Sequence, residues 1–367
     1  MAGRDAGGAV RVLTARWVFP VGEGKSGGSG LLKYVPGLLL LCLIAAPALF
    51  LQHQITVSGK TVVSGVAIAI VLGILIRNLI GLPAACKAGT TFAVKRLLRV
   101  GIALMGAQLG LAQVLRTGGR SVLIVAICIV LAILVVRGIS MRMGMSDRLG
   151  TLIGVGTSIC GVSAIVATAP AIEAREEETS LAVATITVFG LLAVLLYPFL
   201  GHLLGLSDVF FGTWAGTAVN DTSQVVATGL IYSQRAGEVA TVVKLTRNLF
   251  MAPVIVLLSS VYLARAREQG AAAGRRGMSW RNAVPGFVLG FVGLAVLNSL
   301  GVVPPAILDL LKTASGFLIV VALAGVGLET NLAALRAIGL RPFYAGLCAA
   351  TFMAVISFSL IRLFGIG

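Results

Sequence analysis

Apolar stretches long enough to cross a bilayer alternate with short polar joints along almost the whole chain. A spanning helix needs about 20 mostly apolar residues. That rule predicts eleven segments: 31–51, 61–81, 94–114, 120–139, 149–171, 180–204, 209–232, 239–264, 284–302, 306–330 and 342–364. The fifth and seventh differ from the rest. Each is interrupted by glycine and small hydroxylic residues, so each is expected to be broken or re-entrant, which would alter the count.

The interruptions are copies of one another. Gly156-Thr157-Ser158-Ile159-Cys160-Gly161-Val162-Ser163-Ala164-Ile165-Val166-Ala167-Thr168 returns 60 positions later as Gly216-Thr217-Ala218-Val219-Asn220-Asp221-Thr222-Ser223-Gln224-Val225-Val226-Ala227-Thr228, with 6 of 13 positions identical. Paired interruptions in apolar helices mark solute sites in transporters, because a broken helix exposes its backbone. A weaker repeat relates Leu104-Met105-Gly106 and Leu115-Arg116-Thr117-Gly118-Gly119 to Leu323-Ala324-Gly325 and Leu335-Arg336-Ala337-Ile338-Gly339. Seven crossings separate these copies, which predicts opposite directions and an inverted repeat.

Composition sets the class. Hydrophobic residues make up 58% and charged residues 11%, against about 25% charged in soluble domains; the mean hydropathy is +1.02. The net charge of +16 does not imply nucleic acid, since no basic run is interleaved with stacking aromatics. Its distribution instead predicts orientation. Arg77, Lys87, Lys95, Arg96, Arg99, Arg137, Arg142, Arg148, Arg265, Arg267, Arg275, Arg276, Arg281, Arg336 and Arg341 fall on one side if the N-terminus is cytoplasmic. Arg116 and Arg120 are exceptions. Glu173, Glu176, Glu177 and Glu178 are expected on the far side, as a solvated loop. Residues 1–30 read as a cytoplasmic tail, 31–364 as one transmembrane domain, and 265–283 as the mobile connection. The five cysteines are scattered and the two histidines, His53 and His202, lie far apart. No metal site, cofactor or catalytic triad is therefore expected, and no enzymatic role.

Candidate chemistry centres on Asp221. A charge at the bilayer centre costs roughly 2.5–3.5 kcal/mol on insertion scales, so Asp221 marks an ion-coupling or gating position, or else a structural pair with a basic residue. Lys244, Arg247 and Asn248 share one helical face by their i, i+3, i+4 spacing. They read equally as an anion site or as interfacial anchors. Pro253 is expected to kink the same helix. The breaks offer Ser158, Cys160, Gly161 and Ser163 in one copy, and Asn220, Thr222, Ser223 and Gln224 in the other. Half-helix N-termini there suit an anion, while Gly150 and Gly154 fit close helix packing. Cys160 also reads as a small buried hydrophobe. Gln108, Glu329 and Asn331 are weaker pore-lining candidates, and Asp309 reads as structural.

Six runs carry a family resemblance: Gly156–Gly161 with Ala169-Pro170-Ala171-Ile172, Tyr197-Pro198, Gly201–Asp208, Trp214-Ala215-Gly216-Thr217 and Val242-Val243-Lys244-Leu245-Thr246-Arg247. Together they resemble the bacterial YeiH-like membrane proteins, the sulfate exporter family, over roughly residues 31–364. That resemblance implies a fold akin to the bile-acid/sodium symporter and cation/proton antiporter groups, with inverted repeats and discontinuous crossing helices. Where this chain has Asn220-Asp221-Thr222-Ser223, the family pattern has a His-Asp-Val-Ala-like run. Asp221 matches and Asn220 departs.

The expectation is thus an all-α polytopic membrane protein of ten to eleven helices in the bacterial inner membrane, acting as a secondary transporter of a small anion. Sulfate or an organic sulfonate leads, with H⁺ or Na⁺ as coupling ion at Asp221 and two bundles rocking to alternate access. A cation/proton antiporter using Asp221, a passive channel and a homodimeric assembly stay open.

Overall fold

The computed structural model describes residues 32–54, 56–57, 60–61, 64–109, 111–268, 286–331, 333 and 339–366. The N-terminal tail, most of the 265–283 connection, and Arg336 with the second weak-repeat copy around it lie outside the described residues.

Among the described residues the chain is all-α apart from one small antiparallel hairpin, β1 (Thr56–Val57) with β2 (Lys60–Thr61), pairing Thr56 with Thr61. The helices are α1 (Val35–Gln54), α2 (Gly65–Leu79), α3 (Ala84–Phe92), α4 (Leu98–Met105), α5 (Leu111–Arg142), α6 (Asp147–Ser158), α7 (Val162–Thr168), α8 (Glu176–Leu203), α9 (Asp208–Ala218), α10 (Thr222–Tyr232), α11 (Gln234–Leu249), α12 (Met251–Glu268), α13 (Gly286–Ser299), α14 (Pro305–Glu329) and α15 (Leu340–Leu363). Among the described residues, six segments are long and apolar enough to cross a membrane: Leu32–Gln52, Val114–Arg142, Glu176–Leu203, Gln234–Arg265, Pro305–Glu329 and Leu340–Leu363. Helix α12 begins one residue after α11 ends, with Pro253 in its first turn, as the proline predicts.

The two interrupted segments do not cross. Helix α6 starts on Ser146, whose hydroxyl accepts from Leu149 N at 3.1 Å; after the break, the return arm ends beside that start. Arg148 lies 3.8 Å from Glu173, and Ser146 donates to Glu178 at 2.5 Å. Helix α9 likewise starts on Ser207, which caps Phe210 N at 3.2 Å. Its return arm α10 comes back to Asp208, where Ser233 donates at 2.7 Å and Tyr232 stacks on Phe211 with centroids 3.9 Å apart. Both are re-entrant helical hairpins. Each outgoing arm, 12 and 11 residues long, rises about 16–18 Å, a little past the middle of a core about 30 Å thick.

Of the two alternatives expected for the interrupted segments, both take the re-entrant one, which leaves nine of the eleven apolar segments as candidate crossings. One expectation is corrected: Glu173–Glu178 lie on the same side as Arg148, because a hairpin returns the chain to where it entered; the charge pattern could not reveal this. Helix α8 then crosses, so the second hairpin enters from the opposite side. The 60-residue repeat is a helix followed by a re-entrant hairpin, used twice in inverted orientation.

Apolar packing forms two regions. One core joins α1, α2, α4, α13 and α14 through Leu41, Ile70, Ile102, Phe291 and Leu323. Other cores join α5–α12 and α15 through residues such as Ile124, Leu152, Ile165, Phe211, Val243 and Met353. Val226 and Ala227 of α10, with Val242 and Leu245 of α11, pack against the first core.

Candidate functional site

The hairpin tips meet. Helix α6 ends at Ile159 (φ −119°, ψ −94°), and Gly161 takes φ +68°, ψ −127° before α7 begins. Side chains avoid that backbone conformation. A Cβ on Gly161 would also lie 3.3 Å from Cα, Cβ and Oδ2 of Asp221, so the first tip abuts the second at the acid. Helix α9 ends on extended Val219. Asp221 is the N-cap of α10: its carboxylate accepts from Ser223 N at 2.9 Å and Ser223 Oγ at 2.7 Å.

Breaking a helix orphans the carbonyls of its last turn. Here two side chains of α11 collect them. Lys244 Nζ donates to Ile159 O at 2.8 Å, to Val219 O at 3.1 Å and to Asn220 O. Arg247 donates through Nε to Ser158 O at 2.5 Å, through Nη1 to Thr217 O at 2.6 Å, Val219 O at 3.0 Å and Gly216 O at 3.4 Å, and through Nη2 to Thr157 O. Both are buried, at 0% and 1% exposure. Each residue therefore bonds both hairpins. Helix C-termini carry about half a negative charge each, so the two cations face the negative ends of α6 and α9 together.

Other sequence candidates separate by exposure. Cys160 is buried with its thiol toward Met251 Sδ, 3.6 Å away, and Ser158 is fully buried, its hydroxyl 3.4 Å from Val155 O. Asn220 and Gln224 point away from the tip surface. Asn220 Nδ2 donates to Ile186 O and Gln224 Nε2 to Thr187 O, both at 3.2 Å, while Gln224 Oε1 accepts from Asp221 N at 3.2 Å. Asn248 is buried, with its Oδ1 unpartnered. Ser163 is exposed, and Asp221, Thr222 and Ser223 are partly exposed. The accessible face of the tips is thus Ser163 with Asp221–Ser223. Among the weaker candidates, Glu329 accepts from Thr91 Oγ1 at 2.9 Å within the first core region. Among the described residues no cluster of His, Cys, Asp and Glu is placed to hold a metal.

The sequence profile described as "Conserved hypothetical protein 698" matches residues 36–346. A membrane protein of family UPF0324 from Streptococcus pyogenes serotype M18 is 37% identical over 342 residues, covering 91% of this chain and 98% of that protein. The chain belongs to this family. UPF0324 membrane proteins from Agrobacterium fabrum (33% identity over 330 residues, covering 90% of this chain and 93% of that one) and Nitratidesulfovibrio vulgaris (32% over 351 residues, 94% and 97%) are similar along nearly their whole lengths. The family match spans both hairpins and most of both helical regions.

Sequence reasoning missed the bases of the hairpins. Ser146-Asp147 and Ser207-Asp208 each cap an outgoing arm, and the recurrence of Ser-Asp before both interruptions is the signal that could have found them. The first base is a polar cluster around a cavity of about 470 Å³, lined by Ser146, Asp147, Arg148, Arg175, Glu178, Tyr262 and Arg265. Asp147 pairs with Arg137, accepts from Tyr262 at 2.8 Å and lies 3.4 Å from Arg265. Burial pushes its carboxyl up. The hydrogen bonds from Arg137 and Tyr262 and the charges of Arg137 and Arg265 outweigh this and hold it below its ordinary value.

Proposed function

We propose that this UPF0324 chain is a secondary transporter of a small anion in the bacterial plasma membrane, with its N-terminus cytoplasmic. The observation carrying the proposal is the pair of inverted re-entrant hairpins whose tips meet at Gly161 and Asp221 over two buried cations. Irregular backbone at membrane depth is tolerated where it is buried in protein or lines a cavity, and paired discontinuous helices of this kind form the solute sites of secondary transporters. Two cations against two helix C-terminal ends leave about one positive charge, which the Asp221 carboxylate offsets, so the site favours an anion when a coupling cation accompanies it at Asp221.

On this reading the solute meets the accessible tip face at Ser163 and Asp221–Ser223, and Lys244 with Arg247 attract it through their field, their donors being committed to carbonyls. A coupling H⁺ or Na⁺ at Asp221 would offset the negative charge of that face, so cation and anion travel together. The resemblance to sulfate exporters makes sulfate or an organic sulfonate the first solute to test. The basic loops on the N-terminal side support a cytoplasmic N-terminus.

The test is sulfate uptake into proteoliposomes under an imposed pH gradient, with native chain and Asp221→Asn compared. Saturable uptake that follows the gradient in the native chain alone supports the reading. Absence of uptake by folded protein rejects sulfate. Sodium flux that depends on Asp221, without anion flux, replaces the reading with a cation/proton antiporter.

A further inference from the structure

We infer that Lys244 and Arg247 are positioning residues that tie both hairpin tips to α11, so that the solute site is carried across the membrane inside one moving body. The inference rests on the transport reading and says which helices move with the tips when the two bundles shift.

The tips are bound by one helix from below. Opening a path between α6–α7 and α9–α10 would strip carbonyls of Thr157, Ser158 and Ile159 on one side, or of Thr217, Val219 and Asn220 on the other, from two buried cations. In a low-dielectric interior that separation is strongly opposed. The hairpin bases are fastened to the same group of helices. Asp147 holds Arg137 of α5 and both Tyr262 and Arg265 of α12, and Ser146 holds Glu178 of α8. In the second hairpin, Trp214 donates to Ala354 O of α15 at 2.9 Å and stacks on Tyr197 of α8 at 4.3 Å.

The boundary with α1, α2, α4, α13 and α14 is of another kind. Its apolar packing includes Val194 of α8, Val226, Ala227, Leu230 and Ile231 of α10 and Val242 and Leu245 of α11; the charges of Glu238 of α11 and Lys312 of α14 interact across it, and Glu238 also pairs with Arg235 on its own helix at 3.4 Å. Apolar faces can shift against one another without orphaning a charge, because the hydrophobic effect is not directional. The plane of easiest movement therefore runs between these two groups of helices and leaves the tips joined.

The experiment measures distances by paired spin labels in nanodiscs, on a chain whose five native cysteines are replaced. One pair, Arg148→Cys with Arg235→Cys, reports the separation of the two hairpin bases. The other, Arg148→Cys with Lys87→Cys, spans the boundary. Sodium sulfate is added or withheld at pH 5 and pH 8. The expected result is one unchanging distance for the first pair and a second population for the other. A second population in the Arg148–Arg235 pair overturns the inference, as does a boundary pair that stays fixed under all of these conditions. Lys244→Met, in protein that still elutes as one species, is expected to broaden the Arg148–Arg235 distance; no broadening denies Lys244 its positioning role. Uptake failure rejects the sulfate reading separately, because the distances are read without reference to flux.

Discussion

Replacing Lys244 with Met removes the ammonium while keeping an unbranched chain of similar length in a fully buried position. Three carbonyls lose a donor, but Val219 O keeps Arg247 Nη1 at 3.0 Å. Two remain orphaned, Ile159 O on the first tip and Asn220 O on the second. Each unsatisfied buried acceptor costs about 1–3 kcal/mol, so the tips lose roughly 2–6 kcal/mol, reduced by the desolvation that the buried ammonium no longer incurs. Against a total stability of about 5–15 kcal/mol the loss is readily measured. Thermal unfolding in detergent, followed by the fraction remaining monodisperse, is the assay, with exposed Lys33→Met as the control. Hydrogen exchange localises the effect: amides in the first turns of α7 and α10 are expected to exchange faster, while those of α2 and α14 keep their protection. An unchanged midpoint together with unchanged exchange at both tips would refute the cross-capping argument.

Gly161→Ala places a side chain in a strained conformation costing about 1–3 kcal/mol and against Asp221, so its melting midpoint should fall; an unaffected midpoint denies the tip its special backbone. A Cβ at Gly190 would lie 1.9 Å from Gln224 Oε1, so Gly190→Ala should displace Gln224 from Thr187 O and Asp221 N at a cost of about 1–3 kcal/mol. Gln224→Ala should then add little to it, and full additivity in a double-mutant cycle would contradict the contact. Asp147 is held below its ordinary value, so its contribution is complete above the unfolded value of about 3.9 and is lost as pH falls through the lower folded one. The stability gap between native chain and Asp147→Asn should therefore narrow only in acid below about pH 4; a gap that is flat with pH speaks against the ion pair.

Much of the fold was legible because membrane helices announce themselves by length. Ten of the eleven apolar segments correspond to helices or helix pairs, while 94–114 straddles the turn at Leu109 between α4 and α5; the breaks fall at the repeated sequence, with Gly161 and Asp221 at the two tips. Crossing could not be told from re-entrance, since an interrupted hairpin contains as many apolar residues as a span. Only contacts between distant residues, Arg148 with Glu173 and Asp208 with Ser233, distinguish them. The face shared by Lys244 and Arg247 was legible from their spacing, but their partners were not. Those partners are backbone carbonyls 24 to 90 residues away, and they become acceptors only once α6 and α9 stop short. Their polarity marks Cys160, Asn220 and Gln224 at the breaks, and the packing of each tip turns them inward.

The measurement that bears most directly on the two inverted hairpins is side-specific labelling of single cysteines with a membrane-impermeant maleimide. Arg148→Cys, Glu177→Cys and Arg341→Cys should label from one side of the membrane, and Arg235→Cys from the other. Labelling of Glu177→Cys together with Arg235→Cys, opposite Arg148→Cys, would mean that the first interrupted segment crosses, and the meeting of the tips at Gly161 and Asp221 would no longer stand.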